Sequence, residues 1–348
     1  MGESQIVSIG TALPPYALRQ EDIKEFAAAL FQSLINHLDK MLQVFENGLI
    51  QVRHLSRPLE WYQEAHSFAE ANKVYEETAI NLAEEAATQA INRSGIQPAE
   101  IGMVIFISST GIATPTIDAK VIQRLGLSPH TFRVPIWGLG CAGGVSGLAR
   151  AAELAQVLNG KAVLLIAVEL CSLTFQRNDY SKENLVGTSL FSDGAAAVVI
   201  AANAHGPAIC GSYSNLFPNT EDIMGWDITE SGFKVQFSRD IPSIIRRYLP
   251  TLVSKACAKW DININTVQHY IVHPGGAKVL DAYADSLNIS AEKLRHAYQI
   301  LTSCGNMSSV SILFVLDNFL KDTLPAKQYG LMLALGPGFS AEQVLLRW

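Results

Sequence analysis

The sequence predicts an α/β fold in which buried β-strands alternate with α-helices. Continuous aliphatic runs bounded by glycine are typical of strands covered on both faces, and they occur at 101–107, 161–168, 195–201, 267–272 and 331–335. Apolar residues near a 3.6-residue period predict a helix over 21–38, formed by Ile23, Phe26, Ala27, Leu30, Leu34 and Leu38. Early acidic residues and a following Ser94-Gly95 predict a second helix over 75–93.

The two halves of the chain show a loose internal similarity. Segments 99–111 and 264–276 each run from a polar start through a predicted strand to a glycine. Segments 161–171 and 328–338 repeat a later strand of each half. The pattern breaks around 204–207, so we expect two related halves, residues 1–205 and 206–348.

Composition excludes several functional classes. With 49% apolar and 17% charged residues, the 348-residue chain is expected to be globular. The net charge of −6 argues against a nucleic-acid partner, since phosphate-backbone binding requires a basic surface. No apolar run reaches the roughly 18 residues that span a bilayer, and the first ten residues lack signal-peptide features, so we expect a cytoplasmic protein without a membrane span. Five scattered cysteines without a CxxC pair predict reduced thiols and no zinc site.

A glycine-rich motif around Cys141 is the sharpest local feature. GLGCAGG at 138–144 follows a strand-like run and opens an alanine-rich helix that is expected to end near Asn159-Gly160. The glycines allow a tight turn from strand to helix, and the positive end of the helix dipole favours a thiolate. A buried structural cysteine in a glycine-rich turn would give the same pattern. The choice between a nucleophile and a structural cysteine therefore depends on the partners of Cys141.

His273 and Asn306 are the candidate partners. His273 follows a predicted strand in the motif HPGG, and Asn306 lies in CGNMSS, before an apolar helix. In a cysteine hydrolase, the asparagine would orient the histidine. In a decarboxylating condensing enzyme, both side chains would donate hydrogen bonds to a thioester oxygen and stabilise an enolate. The papain-type sequence around the cysteine is absent, but spacing alone does not decide between the two classes.

Six motifs, in order, resemble type III polyketide synthases of the chalcone synthase superfamily: GLGCAGG, NLVGTSLFSDGAAA, MGWDITESGFKVQFSRDIP, HPGG, CGNMSS and GPGFSAE. The resemblance extends from Ile6 to Trp348 and is strongest to bacterial alkylpyrone synthases. It implies a thiolase fold of two pseudo-repeated halves in α-β-α-β-α layers, a homodimer, and the catalytic triad Cys141, His273 and Asn306. It also implies acyl-CoA and malonyl-CoA as substrates, a long-chain fatty starter, alkylpyrone products, and neither metal nor redox cofactor.

The resemblance implies further site residues. Phe191 resembles a gatekeeping phenylalanine, Val235 replaces a second gatekeeping aromatic, and Trp226 lies where plant relatives often have glycine. Thr114 takes the place of a residue that reaches across the dimer into the neighbouring site. The remaining positions expected to line the cavity are Thr110, Thr174, Gly187, Met224 and Ser308.

The CoA entrance departs from the family pattern. Plant relatives carry three cations on the helix corresponding to 40–47, where this chain has Lys40, Gln43 and Asn47. Arg53 or Arg57 is a candidate substitute, and Gly275 is a further candidate CoA contact. Asp193 and the loop 336–338 are expected to be structural, as a turn-capping carboxylate and a tight loop under the site.

Two alternatives share this fold. A ketoacyl-ACP synthase III-like enzyme that initiates fatty acid synthesis uses the same Cys-His-Asn set, but its asparagine region and carrier-protein contacts differ. A non-catalytic thiolase-fold partner subunit typically lacks the active cysteine, which this chain retains.

Overall fold

The computed structural model describes residues 3–32 and 38–348, and these form thirteen β-strands and eleven α-helices. The strands are β1 Ser4–Ala12, β2 Tyr16–Arg19, β3 Val52–Leu55, β4 Ile101–Ile107, β5 Phe132–Ile136, β6 Ala162–Leu170, β7 Asp193–Ala202, β8 Ala208–Leu216, β9 Met224–Thr229, β10 Gly232–Phe237, β11 Val267–Val272, β12 Tyr329–Gly336 and β13 Ser340–Arg347. The helices are α1 Gln20–Phe31, α2 Leu38–Glu46, α3 Leu59–Gln63, α4 Phe68–Ser94, α5 Ile117–Arg124, α6 Gly143–Ala155, α7 Lys182–Leu190, α8 Ile241–Lys259, α9 Ala277–Leu287, α10 Arg295–Cys304 and α11 Ser311–Lys321.

All five predicted strands are present, as β4, β6, β7, β11 and β12. The single helix predicted over 21–38 is wrong, because α1 ends at Phe31 and α2 begins at Leu38. Leu34 lies outside the described residues. Phe31 and Leu38 belong to the same apolar cluster, so one continuous apolar pattern serves two helices that share a core.

The predicted second helix begins earlier than expected. Ser67 caps α4 and forms a capping box with Glu70, in which the Ser67 N–H donates to Glu70 Oε2 at 2.8 Å. The acidic residues that suggested a start near 75 therefore lie inside the helix. Its end was predicted correctly, since Gly95 caps α4 with a φ of 70°.

One nine-stranded sheet runs through the molecule in the order β11-β12-β13-β8-β1-β7-β6-β4-β5. Strands β1, β4, β5, β6 and β7 occupy one side, and strands β8, β11, β12 and β13 occupy the other. The two sides join through a short antiparallel contact in which Ser4 pairs with Ile209 and Gln5 with Ala208. Each side contains a parallel pair, β4 with β6 and β11 with β12.

The helices form three layers around this sheet. Helices α6 and α11 lie at the centre and pack against strands of both sides, while α4 and α5 cover the first side and α8 and α9 the second. A close approach at the centre requires glycine, because a Cβ on Gly144 would lie 2.4 Å from the carbonyl oxygen of Ser309. The α-β-α-β-α arrangement thus places the start of α6 where strand ends of both sides meet.

Two smaller units stand over that point. Strands β9 and β10 form a hairpin in which Trp226 pairs with Val235. Helices α1, α2 and α7 pack around the apolar cluster that contains Ile23 and Leu185. None of the described helices is long and apolar enough to cross a bilayer.

Candidate active site

Cys141 lies in a single 3-10 turn, Gly140–Ala142, between β5 and α6. Gly140 has a φ of 45°, and a Cβ there would lie 2.8 Å from the Pro337 ring, so glycine is required on both counts. The Ser109 hydroxyl accepts hydrogen bonds from the N–H groups of Gly138 and Gly140, at 3.3 and 3.2 Å. The predicted turn from strand to helix is therefore present, with loop 336–338 packed beneath it.

His273 follows β11, and its N–H donates to the carbonyl of Leu333 at 3.0 Å, which extends the strand pairing by one residue. The side chain is only 3% exposed. Within the described part of the chain, neither ring nitrogen has a hydrogen-bond partner. An imidazole buried without partners is costly and calls for a functional explanation.

Asn306 lies between α10 and α11, and its backbone pairs with residues 190–192, which include Phe191. Its N–H donates to Leu190 at 3.0 Å, and its carbonyl accepts from Ser192 at 2.9 Å. Its Oδ1 accepts from the Ser308 N–H at 2.8 Å, while Nδ2 lies 3.4 Å from the carbonyl of Gly275. The asparagine amide is thereby oriented beside the loop that carries His273.

Burial opposes charge on both Cys141 and His273. It raises the pKa of Cys141 to about 12, against hydrogen bonding from Ser308 and Asn306, which lowers that pKa. Burial also lowers the pKa of His273 to about 3. The thiolate that the sequence pattern suggested is thus not favoured by the helix terminus alone, and charge on Cys141 requires an opposite charge nearby.

A buried carboxylate that sequence analysis missed lies next to this site. Glu169 accepts hydrogen bonds from the Ser109 N–H, the Thr110 hydroxyl and the Ser309 hydroxyl, at 2.9, 3.0 and 2.7 Å. Burial raises its pKa to about 7, and its charge raises the pKa of Cys141. A lone glutamate inside the apolar run 161–170 was the available signal, since unpaired acids are rarely buried.

Asp193 is structural, as expected. Its carboxylate accepts from the N–H and hydroxyl of Ser56, at 2.7 and 2.6 Å, and from those of Ser172, at 2.7 and 2.5 Å. Burial raises its pKa to about 6. These bonds join β7 to two loops near the site.

A partly open apolar cavity, called here the acyl cavity, has Phe191 in its wall and a volume of about 50 Å³. Four residues predicted to line a cavity do so here: Thr174, Gly187, Phe191 and Val235. A Cβ on Gly187 would lie 3.3 Å from Val235 and 3.6 Å from Phe191, so the cavity is narrow at this point. Phe191 also pairs with Asn306, which connects the cavity to the triad.

The other predicted cavity residues do not line the acyl cavity. Thr110 donates to Glu169 and accepts from the Leu170 N–H, and Ser308 contacts Cys141 and Asn306. The ring of Trp226 lies 6.3 Å from that of Phe191, and Met224 is half-buried on the same strand. Thr114 is exposed and precedes a cis proline.

The three candidate CoA contacts lie in different environments. Lys40 is exposed on α2, and Gly275 lies beside His273. Arg53 is buried, donates to the carbonyl of Phe191 at 2.8 Å and has its pKa lowered to about 9 by burial. Its position in the wall of the acyl cavity does not suit a partner for an exposed phosphate, so the proposal of Arg53 as a substitute cation is not supported.

Comparison with known proteins defines the class. The chain is similar over 99% of its length to the structure of 1,3,6,8-tetrahydroxynaphthalene synthase from Streptomyces coelicolor A3(2), a bacterial type III polyketide synthase, with a TM-score of 0.94, 27% identity and 99% of that chain covered. The predicted thiolase fold and acyltransferase class are confirmed.

The family follows from the sequence. The models for chalcone and stilbene synthases match residues 1–204 with the N-terminal domain and 209–348 with the C-terminal domain, and the chain belongs to this family. It is 44% identical to a "Putative chalcone synthase" of Bacillus subtilis (strain 168), covering 99% of this chain and 98% of the relative. It is 37% identical to 1,3,6,8-tetrahydroxynaphthalene synthase of Streptomyces peucetius subsp. caesius, covering 99% and 93%. The chain is thus a type III polyketide synthase that condenses malonyl units iteratively.

Proposed function

We propose that this enzyme extends a long-chain fatty acyl starter, held on Cys141 as a thioester, with units from malonyl-CoA and releases alkylpyrones. The observation that carries the proposal is the acyl cavity, an apolar space whose wall contains Phe191, which pairs with Asn306.

Acylation begins with proton transfer from the Cys141 thiol to His273. Burial disfavours either charge alone, so the thiolate and imidazolium form together as a pair. The thiolate attacks the acyl-CoA carbonyl, a new carbon–sulfur bond forms, and the CoA thiolate leaves with the proton from His273. The imidazole is then neutral again.

Decarboxylation uses the groups that acylation leaves free. A neutral His273 carries one N–H, and Asn306 Nδ2 is held in place by the Ser308 bond to its Oδ1. Together they supply two hydrogen-bond donors for the thioester oxygen of malonyl-CoA, where negative charge develops as carbon dioxide leaves. The enolate carbon attacks the Cys141 thioester carbonyl and expels the Cys141 thiolate, which leaves the lengthened chain on CoA. The thiolate then attacks this CoA thioester, releases CoA and takes up the chain for the next round.

The acyl cavity suits an unbranched alkyl chain. Its wall contains Ile23, Phe26, Leu55, Leu59 and Phe175, and Val235 leaves more room than an aromatic ring would at the gate. Each buried methylene contributes about 0.8 kcal/mol, or about fourfold in binding. Packed walls do not stretch, so starters that overfill the cavity are rejected.

We further propose a homodimer formed through the edge strand β5. Phe132 and Trp137 are 63% and 49% exposed there, and the neighbouring Ile112 is 48% exposed. An exposed apolar patch at a sheet edge is typical of an interface. Thr114 lies in the same patch, in keeping with a residue that reaches towards the partner's site.

The test is kcat/KM for a series of saturated acyl-CoA starters with malonyl-CoA, with products identified by mass spectrometry. We expect kcat/KM to rise up to about fourfold per methylene and then fall sharply, with pyrones as the main products. A flat profile, or a preference for p-coumaroyl-CoA, acetyl-CoA or malonyl-CoA alone as starter, would contradict the long-chain proposal but not the Cys-His-Asn chemistry. A requirement for acyl carrier protein would favour the fatty-acid-initiating alternative.

A further inference from the structure

A second cavity lies on the other side of the acyl cavity wall. It is lined by polar and charged groups, among them His66, Arg177, Asp179 and Lys234. The two cavities share Tyr62 and Phe175 as lining residues. These two rings therefore form a partition between an apolar space and a polar space.

Phe175 lies at the centre of an aromatic cluster in this partition. Its ring centroid is 6.5 Å from that of Phe26, 6.4 Å from that of Phe31 and 6.4 Å from that of Tyr62, all edge to face. Edge-to-face packing holds ring orientation more tightly than aliphatic contact does. The ring is thus wedged between α1 and α3.

The backbone on each side of Phe175 is fixed by side-chain amides. Gln176 Nε2 lies 3.3 Å from the carbonyl oxygens of Thr174, Ser231 and Phe233. Asn184 Nδ2 donates to the carbonyl of Gln176 at 2.8 Å. Buried amides with several partners resist displacement, so the backbone on either side of Phe175 is held in place.

Tyr62 is anchored as well. Its hydroxyl lies 2.6 Å from the hydroxyl of Ser172, which donates to Asp193 at 2.5 Å. Tyr62 is therefore joined through its hydroxyl to the hydrogen-bond network of Asp193, and Phe175 is held by ring contacts and by its fixed backbone.

The polar cavity is a poor environment for the end of an alkyl chain. Lys234 Nζ lies 3.3 Å from Asp179 Oδ2, and Arg177 donates to the carbonyl of Gln63 at 3.0 Å. A methyl terminus that passed the partition would have to displace water from these groups without replacing their hydrogen bonds.

From this geometry we propose that Phe175 closes the far end of the acyl cavity and thereby sets the longest fatty acyl starter that the enzyme accepts. The inference rests on the proposed long-chain function and assigns the length limit to one residue. Phe26 offers a matched control, since it touches Phe175 and lines the acyl cavity but not the polar one.

The experiment compares starter-length profiles of wild type, Phe175→Ala and Phe26→Ala. Because the profile is a ratio between starters, its shape does not depend on the fraction of active enzyme. We expect Phe175→Ala to move the cut-off by at least two methylenes and to soften it. Phe26→Ala enlarges the acyl cavity but leaves both rings of the partition in place, so the cut-off should stay within one methylene of wild type.

Phe175→Leu guards against misfolding of the alanine variant, and it should give a smaller shift in the same direction. A wild-type cut-off that neither Phe175 variant moves would overturn the inference while leaving the long-chain function intact. An equal shift in Phe26→Ala would also overturn it, because the limit would then belong to overall cavity volume. A flat wild-type profile would overturn the proposed function and this inference together.

Discussion

His273 and Asp193 are both buried, yet their hydrogen bonding is opposite. Asp193 accepts four hydrogen bonds from Ser56 and Ser172. In the described ranges, the ring nitrogens of His273 have no partner. A buried polar group without a partner costs about 1–3 kcal/mol. The fold therefore satisfies the Asp193 carboxylate, which holds loops together. It leaves unsatisfied the His273 imidazole, which we propose donates a hydrogen bond to the substrate.

The largest effect should come from substitution of the proposed catalytic residues, which should change reaction rates. Asn306→Ala removes one donor to the developing enolate, so malonyl-CoA decarboxylation should slow by roughly 10²- to 10³-fold. Acylation of Cys141, measured by intact mass after exposure to acyl-CoA, should change far less. His273→Ala should impair both half-reactions, and Cys141→Ala provides the unacylated reference. Equal loss of acylation in the Asn306 and His273 variants would show that the proposed division of roles is wrong.

Substitution of Asp193, the structural residue of the comparison, should change the stability of the fold. Asp193→Ala strands four buried donors and removes a charge near the buried Arg53 guanidinium, so it should destabilise the fold by about 3–5 kcal/mol. Thermal unfolding monitored by circular dichroism measures the change. Asp227→Asn, at an exposed position in β9, is the control and should have little effect. If Asp193→Ala left the stability unchanged, the hydrogen bonds of Asp193 would not stabilise the fold, and the contrast with His273 would be wrong.

Glu169 lies between these extremes, since it is well bonded but close to Cys141. Its folded-state pKa of about 7 lies above the ordinary value of 4.5, so the folded state binds the proton more tightly. Stability from this group is present in full below pH 4.5 and is lost as the pH rises to about 7. The loss amounts to about 3 kcal/mol.

Wild type should show a fall in melting temperature between pH 4.5 and about pH 7, and Glu169→Gln, which cannot ionise, should flatten it. Melting curves of both proteins at several pH values in this range measure the difference. Parallel profiles for the two proteins would mean that Glu169 does not titrate on unfolding.

Local patterns were enough to predict much of the site. The glycine-flanked turn at Cys141, the strand end at His273 and the motif around Asn306 each depend on residues within a few positions of one another. The same holds for β4 and β11, whose bounds match the prediction, because a continuous aliphatic run bounded by turn residues specifies a buried strand by itself.

Tertiary packing decided the rest, since it brings together residues that the chain separates widely. Arg53 was a candidate surface cation in the sequence. In the structure, β3 places it against Phe191, which lies 138 residues further along the chain. Glu169 was not recognised from the sequence, because one of its hydrogen-bond donors, Ser309, lies 140 residues further along the chain. The wall formed by Phe175 exists only because α1 and α3 meet there. Sequence determined which chemistry the chain carries, whereas packing determined which polar groups are satisfied and which remain free, because hydrogen-bond satisfaction depends on neighbours in space.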